Sequence, residues 1–392
     1  MAVSPGDVYD TVRVDASKKR LENLGYFSKV DANPQDTAVP NRKDLVVTVE
    51  EQRTGSVTFG AGFSTVDSIL GFVEVTPGQT STTPTGPPSP AAARNSAPAA
   101  QYGLRRRDFL LSWTEPWFLD RQISFGFDGF FNDAEYLSSD FNQRRYGGAV
   151  RVGKSIDQFW RIGLRYQYEV FNIYNVDDDA SDLIKDEEGR RSKSSVRGTL
   201  TYDSRDDLFL TRSGEKVEFA AEGAGGPLFG DTKIWKLEAE ATKYWSLPYD
   251  LILSLGASTA IVDTYDSGDE AVPLYDRLFI GGSNSIRGFQ FRDVGPHDDG
   301  DPVGGKTMAY SNLEITFPIM DRVRGAIFVD GGFNENKAFE YTLDNLNIGT
   351  GIGLRLNLPI GPLRFDLGFP VYTDEDHEVG EMEFHFDVGY QF

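Results

Sequence analysis

The side chains that could do chemistry in this chain are few and scattered. It carries three histidines, His297, His377 and His385, and no cysteine. A nucleophilic hydrolase would need a serine beside one of these imidazoles. Ser283 or Ser285 with His297 is the nearest pairing, but it lacks the third group that would orient the ring. The spacings HExxH and GxSxG, the phosphate-binding glycine loop and the dinucleotide fingerprint are all missing from the sequence. Acidic side chains cluster at 177–179, 186–188, 297–301 and 374–378. None has the spacing of a calcium loop, so they read as solvated loops and not as a metal site. We therefore expect no enzyme, no metal and no cofactor. A net charge of −21 also excludes nucleic acid as a partner, because phosphate binding needs a basic surface. One residue does make a demand. Arg287 lies between Ile286 and Gly288-Phe289, inside a polar stretch from 264 to 306. A loop that long is usually functional or disordered.

The elements that must position such a loop read as strands. Phe384, Phe386, Val388, Tyr390 and Phe392 take every second position, alternating with Glu383, His385, Asp387, Gly389 and Gln391. One face of this last strand is apolar and aromatic, the other polar or small. Similar segments recur from about Gly55 onward, among them Ser56–Phe63, Gln122–Phe131, Trp160–Phe171, Leu251–Ile261 and Thr307–Phe317. Short turn signals such as 247–250, 318–321 and 358–362 alternate with longer polar loops. That asymmetry belongs to a transmembrane barrel. Mean hydropathy is only −0.38, and no stretch approaches the roughly 20 apolar residues of a spanning helix. A barrel strand needs only about 10 alternating residues, half of them polar. The fold class expected is an all-β transmembrane antiparallel β-barrel of about sixteen strands, preceded by a small α+β unit.

That unit covers 1–52, and the barrel covers 53–392. Ala16–Leu24 has helical character, with Gly25 as its cap. Tyr26–Ala32 and Asp44–Glu50 read as strands, with Asn33-Pro34 and Pro40-Asn41 marking the turn between them. The unit lacks a first strand and part of a helix before Met1, which suggests a piece of a longer chain. Thr76–Ala100 is rich in Pro, Ala, Ser and Thr and reads as an extended or disordered loop, with a strand near its end.

The IRGF at 286–289 resembles the loop motif of the BamA-type outer-membrane assembly and translocation family. Other pieces match in order. The stretches 21–30 and 44–50 are similar to the family's last POTRA domain. Thr114 to Phe118 resembles an early strand end, and 202–214 a mid-barrel turn. The segments 312–314 and 328–332 resemble the strands after the loop, and the terminal Phe392 resembles an insertion signal. The resemblance spans nearly the whole chain. It implies that the loop folds back into the lumen and that Arg287 meets Glu314, Asp330 or both. A guanidinium folded into a barrel must meet carboxylates, and alternation lets Glu314 point inward, between Leu313 and Ile315.

The resemblance further implies a lateral seam where the first strand meets the last, formed by Val57, Phe59, Gly60, Gly62, Phe386, Val388, Gly389, Tyr390 and Phe392. Glycines there weaken local pairing. The function implied is insertion and folding of outer-membrane β-barrel proteins. The location implied is the bacterial outer membrane, with the POTRA part in the periplasm. The partners implied are the lipid bilayer, unfolded barrel substrates, and accessory lipoproteins on POTRA domains upstream. A POTRA-barrel translocator and a passive porin are the alternatives.

Overall fold

The computed structural model describes residues 6, 8–23, 27–39, 42–51, 56–64, 68–76, 95–103, 106–135, 141–207, 211–265, 272–358, 361–374 and 382–388. Helix α1 (Thr11–Asn23) lies against a two-stranded antiparallel sheet of β1 (Phe27–Asp36) and β2 (Lys43–Glu51). Val14 on the helix and Val30 on β1 are buried. Two details differ from the sequence expectation. The helix starts five residues before Ala16, and Leu24 and Gly25 fall outside the described residues. Asn33-Pro34 is not a turn: it lies inside β1, opposite Val46 and Leu45, and the pairing runs on to Asp36 and Lys43, while Pro40-Asn41 lies outside the described residues. In a two-stranded sheet each strand has a free edge, and proline is tolerated on an edge.

Sixteen further strands form one antiparallel sheet. Its first half is β3 (Ser56–Ser64), β4 (Ser68–Thr76), β5 (Asn95–Gly103), β6 (Arg106–Glu115), β7 (Ile123–Ala134), β8 (Asn142–Ser155), β9 (Trp160–Tyr174) and β10 (Gly189–Asp203). Then come β11 (Gly214–Ala224), β12 (Ile234–Leu247) and β13 (Leu251–Thr264), followed by the long loop with its two-residue pair β14 (His297–Asp298) and β15 (Asp301–Pro302). The sheet ends with β16 (Thr307–Met320), β17 (Val323–Glu335), β18 (Asn347–Leu358), β19 (Gly361–Tyr372) and β20 (Glu383–Val388). Each strand pairs with the next in sequence, and β16 follows β13 across the loop. The hydrogen-bonded order runs from β20 to β3, and these terminal strands come within 8 Å, Cα to Cα. Among the described residues, no helix is long and apolar enough to cross a membrane.

Strand β5 starts at Asn95, earlier than the sequence suggested, and contains Pro98. Its ladder with β4 begins only at Ala99, while its ladder with β6 reaches back to Asn95. Pro98 therefore has a bonded neighbour on one side only, the condition under which a strand accepts it. Residues 77–94, the rest of that segment, lie outside the described residues.

The burial pattern inverts that of a water-soluble protein. Along β9, Ile162, Leu164, Tyr166 and Tyr168 face outward, with Leu164 55% exposed, while Glu169, next to Tyr168, is 3% exposed. The same alternation exposes Phe127, Phe219, Leu313, Ile327 and Val329 and buries Asp128, Asp330, Asp366 and His385. Charged side chains are rarely buried unless paired, and a broad exposed apolar band marks a surface for something other than water. Apolar-out and polar-in is how a barrel sits in lipid. The short turns at 248–250 and 321–322 lie at one end, and the stretches 272–306 and 336–346 at the other.

Candidate functional site

The long loop leaves β13 and is pinned before it reaches Arg287. Near its start, Asp276 is salt-bridged to Lys193 on β10, all but buried, which also meets Glu222 at 2.9 Å. Tyr275 stacks on Phe171 with centroids 4.0 Å apart. Isolated bridges join Leu278 to Gly305 and Ile280 to Val294. Ile280, Ile286, Phe289 and Val294 then pack into a small apolar cluster, partly covered by Met308 and Tyr310. Ile286 and Phe289 thus make the loop's own core, and Arg287 projects the other way, onto the wall.

The guanidinium of Arg287 is 5% exposed. Asp330 on β17 accepts from its Nε at 2.6 Å, from one Nη at 2.8 Å and from its main-chain N–H at 3.0 Å. The other Nη donates to Glu314 on β16 at 2.6 Å and lies 3.6 Å from Asp366 on β19. The guanidinium carbon sits 3.5 Å from the centroid of the Phe328 ring. Burial works against this charge, but the Asp330 hydrogen bonds and the surrounding carboxylates more than reverse it, so the pKa lies above the ordinary arginine value.

The network continues along the wall. Arg355 on β18 bridges Glu314 at 2.6 Å and Asp366 at 2.7 Å. Arg364 on β19 reaches Asp387 on β20 at 2.8 Å and donates to the Ser283 carbonyl at 2.6 Å. Three guanidiniums thus face four carboxylates across five successive strands. The loop also touches the last strand directly: Gly288 N–H donates to His385 Nε2 at 3.4 Å, and Ser283 Oγ to Asp387 at 3.4 Å.

Glycines on the wall allow this close approach. A Cβ on Gly349 would overlap the Arg287 carbonyl oxygen, and one on Gly368 would collide with the Gly288 amide. Gly288 itself has φ +101°, a conformation that favours glycine.

The structure thus brings Arg287, Glu314 and Asp330 together, with Ile286, Gly288 and Phe289 around them. At the seam, Val57, Phe59, Gly60 and Gly62 lie on β3, with Phe386 and Val388 on β20. Gly389, Tyr390 and Phe392 lie outside the described residues. The serine–histidine pairing is not assembled by the hydrogen bonds seen. Ser285 Oγ accepts from Gly281 N–H at 2.7 Å, and His297 sits against the Gly295 carbonyl at 2.8 Å and Asp293 at 3.3 Å. Sequence reasoning missed Arg355, Asp366, Arg364 and Asp387. They alternate with outward apolar residues, so the inward charge on the last strands was the available signal.

Comparison with known proteins adds the following. The Omp85 superfamily domain matches residues 94–392, and the surface antigen variable number repeat, the POTRA model, matches 1–52. The outer membrane protein assembly factor BamA of Nitratidesulfovibrio vulgaris is 30% identical over 404 residues, covering 100% of this chain and 48% of its own. The BamA of Neisseria meningitidis serogroup B is 25% identical over 442 residues, covering 98% of this chain and 53% of its own. The chain thus spans about half the length of these curated relatives. The crystal structure of BamA from Haemophilus ducreyi lacking POTRA domains 1–3 shares the fold, with a TM-score of 0.73 at 19% identity, covering 98% of this chain and 79% of that one.

Proposed function

The chain belongs to the Omp85 superfamily, and from that premise we propose that it inserts and folds other β-barrel proteins in the bacterial outer membrane, with residues 1–52 as a periplasmic POTRA unit and 53–392 as the barrel. The observation that carries this reading is the seam. The sheet's bonded order ends at β20 and β3, and the two strands lie side by side. An opened edge offers a row of unpaired N–H and C=O groups that template an incoming strand. The mechanism is strand exchange and needs no catalytic residue, metal or cofactor. Its partners are the bilayer and unfolded barrel proteins.

The inward loop braces the wall beside this seam. Through Arg287 it grips β16 and β17, and through Ser283 and Gly288 it meets β20. The last five strands then move as one body against β3. Rigid placement of one lip is what a strand acceptor requires, since a floppy edge would pair with itself or its neighbours.

Depleting the protein in its host tests this reading. The expected outcome is loss of several unrelated barrels from the outer membrane, scored by quantitative membrane proteomics. Loss of a single exported substrate, with other barrels unchanged, would instead assign a translocator. Steady open-channel conductance without loss of any barrel would assign a porin.

A further inference from the structure

The outer wall carries a hollow that the assembly function does not use. Five strands contribute to it in register. One row of outward positions reads Phe219, Ala239, Thr259, Ala309 and Phe333 across β11, β12, β13, β16 and β17. The row beneath reads Val217, Ala241, Ala257, Ser311 and Gly331. On the three central strands every one of these side chains is small, so the wall is dented between Phe219 and Phe333. In the next outward row, Leu255, Leu313 and Val329 are larger and exposed. The hollow, open on its outer side, has a volume of about 460 Å³, within the roughly 300–1,000 Å³ typical of small-molecule sites.

A loop roofs the hollow. Residues 336–346 do not project away from the barrel but fold down along its outer face. Tyr341 OH meets Thr259 Oγ1 at 2.9 Å, and its ring packs edge-on against Phe333. Phe339 lies against Trp235, with centroids 5.5 Å apart. Phe333 faces outward by alternation yet is only 7% exposed, because the loop covers it. Leu343 and Leu346 line the hollow from above, and Leu343 remains 70% exposed. Asn345 and Thr342 tie the loop to Glu335 at 2.9 and 2.7 Å.

The floor offers a ligand little polarity. Thr259 Oγ1 donates to the Met308 carbonyl at 2.9 Å, and Ser311 Oγ to the Gly256 carbonyl at 2.9 Å. The hollow opens onto the exposed apolar band and is continuous with it, in the half of the wall nearer the long loops. Whatever fills it comes from the medium that touches that band.

We propose that this hollow is a binding site for one acyl chain of a bilayer lipid, in the leaflet on the side of the long loops. The chain lies over Ala257, Ala309 and Ser311, between Phe219 and Phe333, and the 336–346 loop holds it from above. Ordinary lipid neighbours of a barrel exchange along a convex wall. Here the wall is concave and roofed, so a chain buries more surface and gains packing that the rest of the band does not give. The site lies on strands away from the β3–β20 seam, so its occupancy and the assembly activity can fail independently.

The test uses the full chain reconstituted in phosphatidylethanolamine–phosphatidylglycerol vesicles, doped with a phosphatidylcholine that carries a diazirine at mid-chain. After irradiation, adducts are mapped by mass spectrometry. The proposal expects residues 257–259, 309–311 and 336–346 to be labelled about tenfold more than the lipid-facing positions 162–168, a ratio that reports differential affinity. Ala309→Trp, which fills the hollow, is expected to lower labelling there to the level of 162–168, with the heat-modifiable mobility of a folded barrel retained. Ala257→Leu is the milder second variant should the first not fold. Even labelling around the barrel, or enrichment indifferent to both variants, would overturn the proposal. A second copy of the chain as occupant would also overturn it, and would appear as a disulfide-linked dimer of Ser311→Cys, the only thiol in the protein.

Discussion

Arg287→Ala is expected to free the loop from the lumen wall and to abolish support of growth in cells depleted of the native protein. All three hydrogen bonds to the Asp330 carboxylate in the described structure come from Arg287. The substitution spares the main-chain N–H but removes the two charged donors, and Asp330 is fully buried. Glu314 and Asp366 keep Arg355, so the stranded charge is mainly that of Asp330. Removing one partner of a buried ion pair costs about 3–5 kcal/mol. The loop keeps its anchors near Asp276 and its contacts to β19 and β20, but none of these replaces the charged fork, so the segment around 287 is expected to lift from β16 and β17. Arg287→Lys keeps the charge but loses the planar fork that spans Asp330 and Glu314 together, so an intermediate defect is expected. Adding Asp330→Asn to Arg287→Ala should recover part of the lost barrel stability, because it removes the uncompensated charge, without recovering activity. Complementation and limited proteolysis of the 278–296 segment provide the readouts. Full activity and full protease resistance in Arg287→Ala would dismiss the clamp.

Gly349→Val is expected to unseat the same loop without touching any charge. The new Cβ would overlap the Arg287 carbonyl oxygen, which is backbone and cannot swing aside. Overpacking a tight contact typically costs about 1–3 kcal/mol, and more where backbone must move. The protein has no native cysteine, so Ser285→Cys gives a single buried reporter in the loop. Its reaction with a water-soluble maleimide should rise about tenfold or more when Gly349→Val is added, the rate following the population of the opened state. Gly198→Val is the matched control. A Cβ at Gly198 meets nothing within 4 Å, so the reporter should stay protected. Equal protection in both variants would mean that the loop does not press on β18.

The barrel was legible because its code is local. Alternation on β9 and β20 and the contrast of short and long turns need no partner strand to be read. Arg287 was legible for a different reason: an arginine among apolar neighbours in an over-long loop must find carboxylates. Finding which ones rested on resemblance, since Asp330 and Glu314 lie 43 and 27 residues away, and contacts at that range leave no local mark. Arg355, Arg364, Asp366 and Asp387 show why. Each is an unremarkable charged residue in a strand until the register sets them side by side. The seat made by Gly349 and Gly368 was equally hidden, because glycine in a strand also serves bends and curvature. Pro34 and Pro98 misled in the other direction. Proline reads as a stop, yet both sit in strands that have a free side at that point. The outer hollow has no sequence signature at all. Alanines on three strands become a cavity only when pairing aligns them.

The seam is the claim on which the proposed function stands, and a cross-link across it is the most direct measurement. Cysteines placed pairwise along β3 and β20, in a chain with no other thiol, can be oxidised where their Cα atoms come within about 4.4–6.8 Å. The locked protein is then presented with an unfolded barrel substrate in vesicles. Lateral strand exchange predicts that insertion stops when the disulfide is complete and returns on reduction. Undiminished insertion with the cross-link quantitatively formed would contradict it.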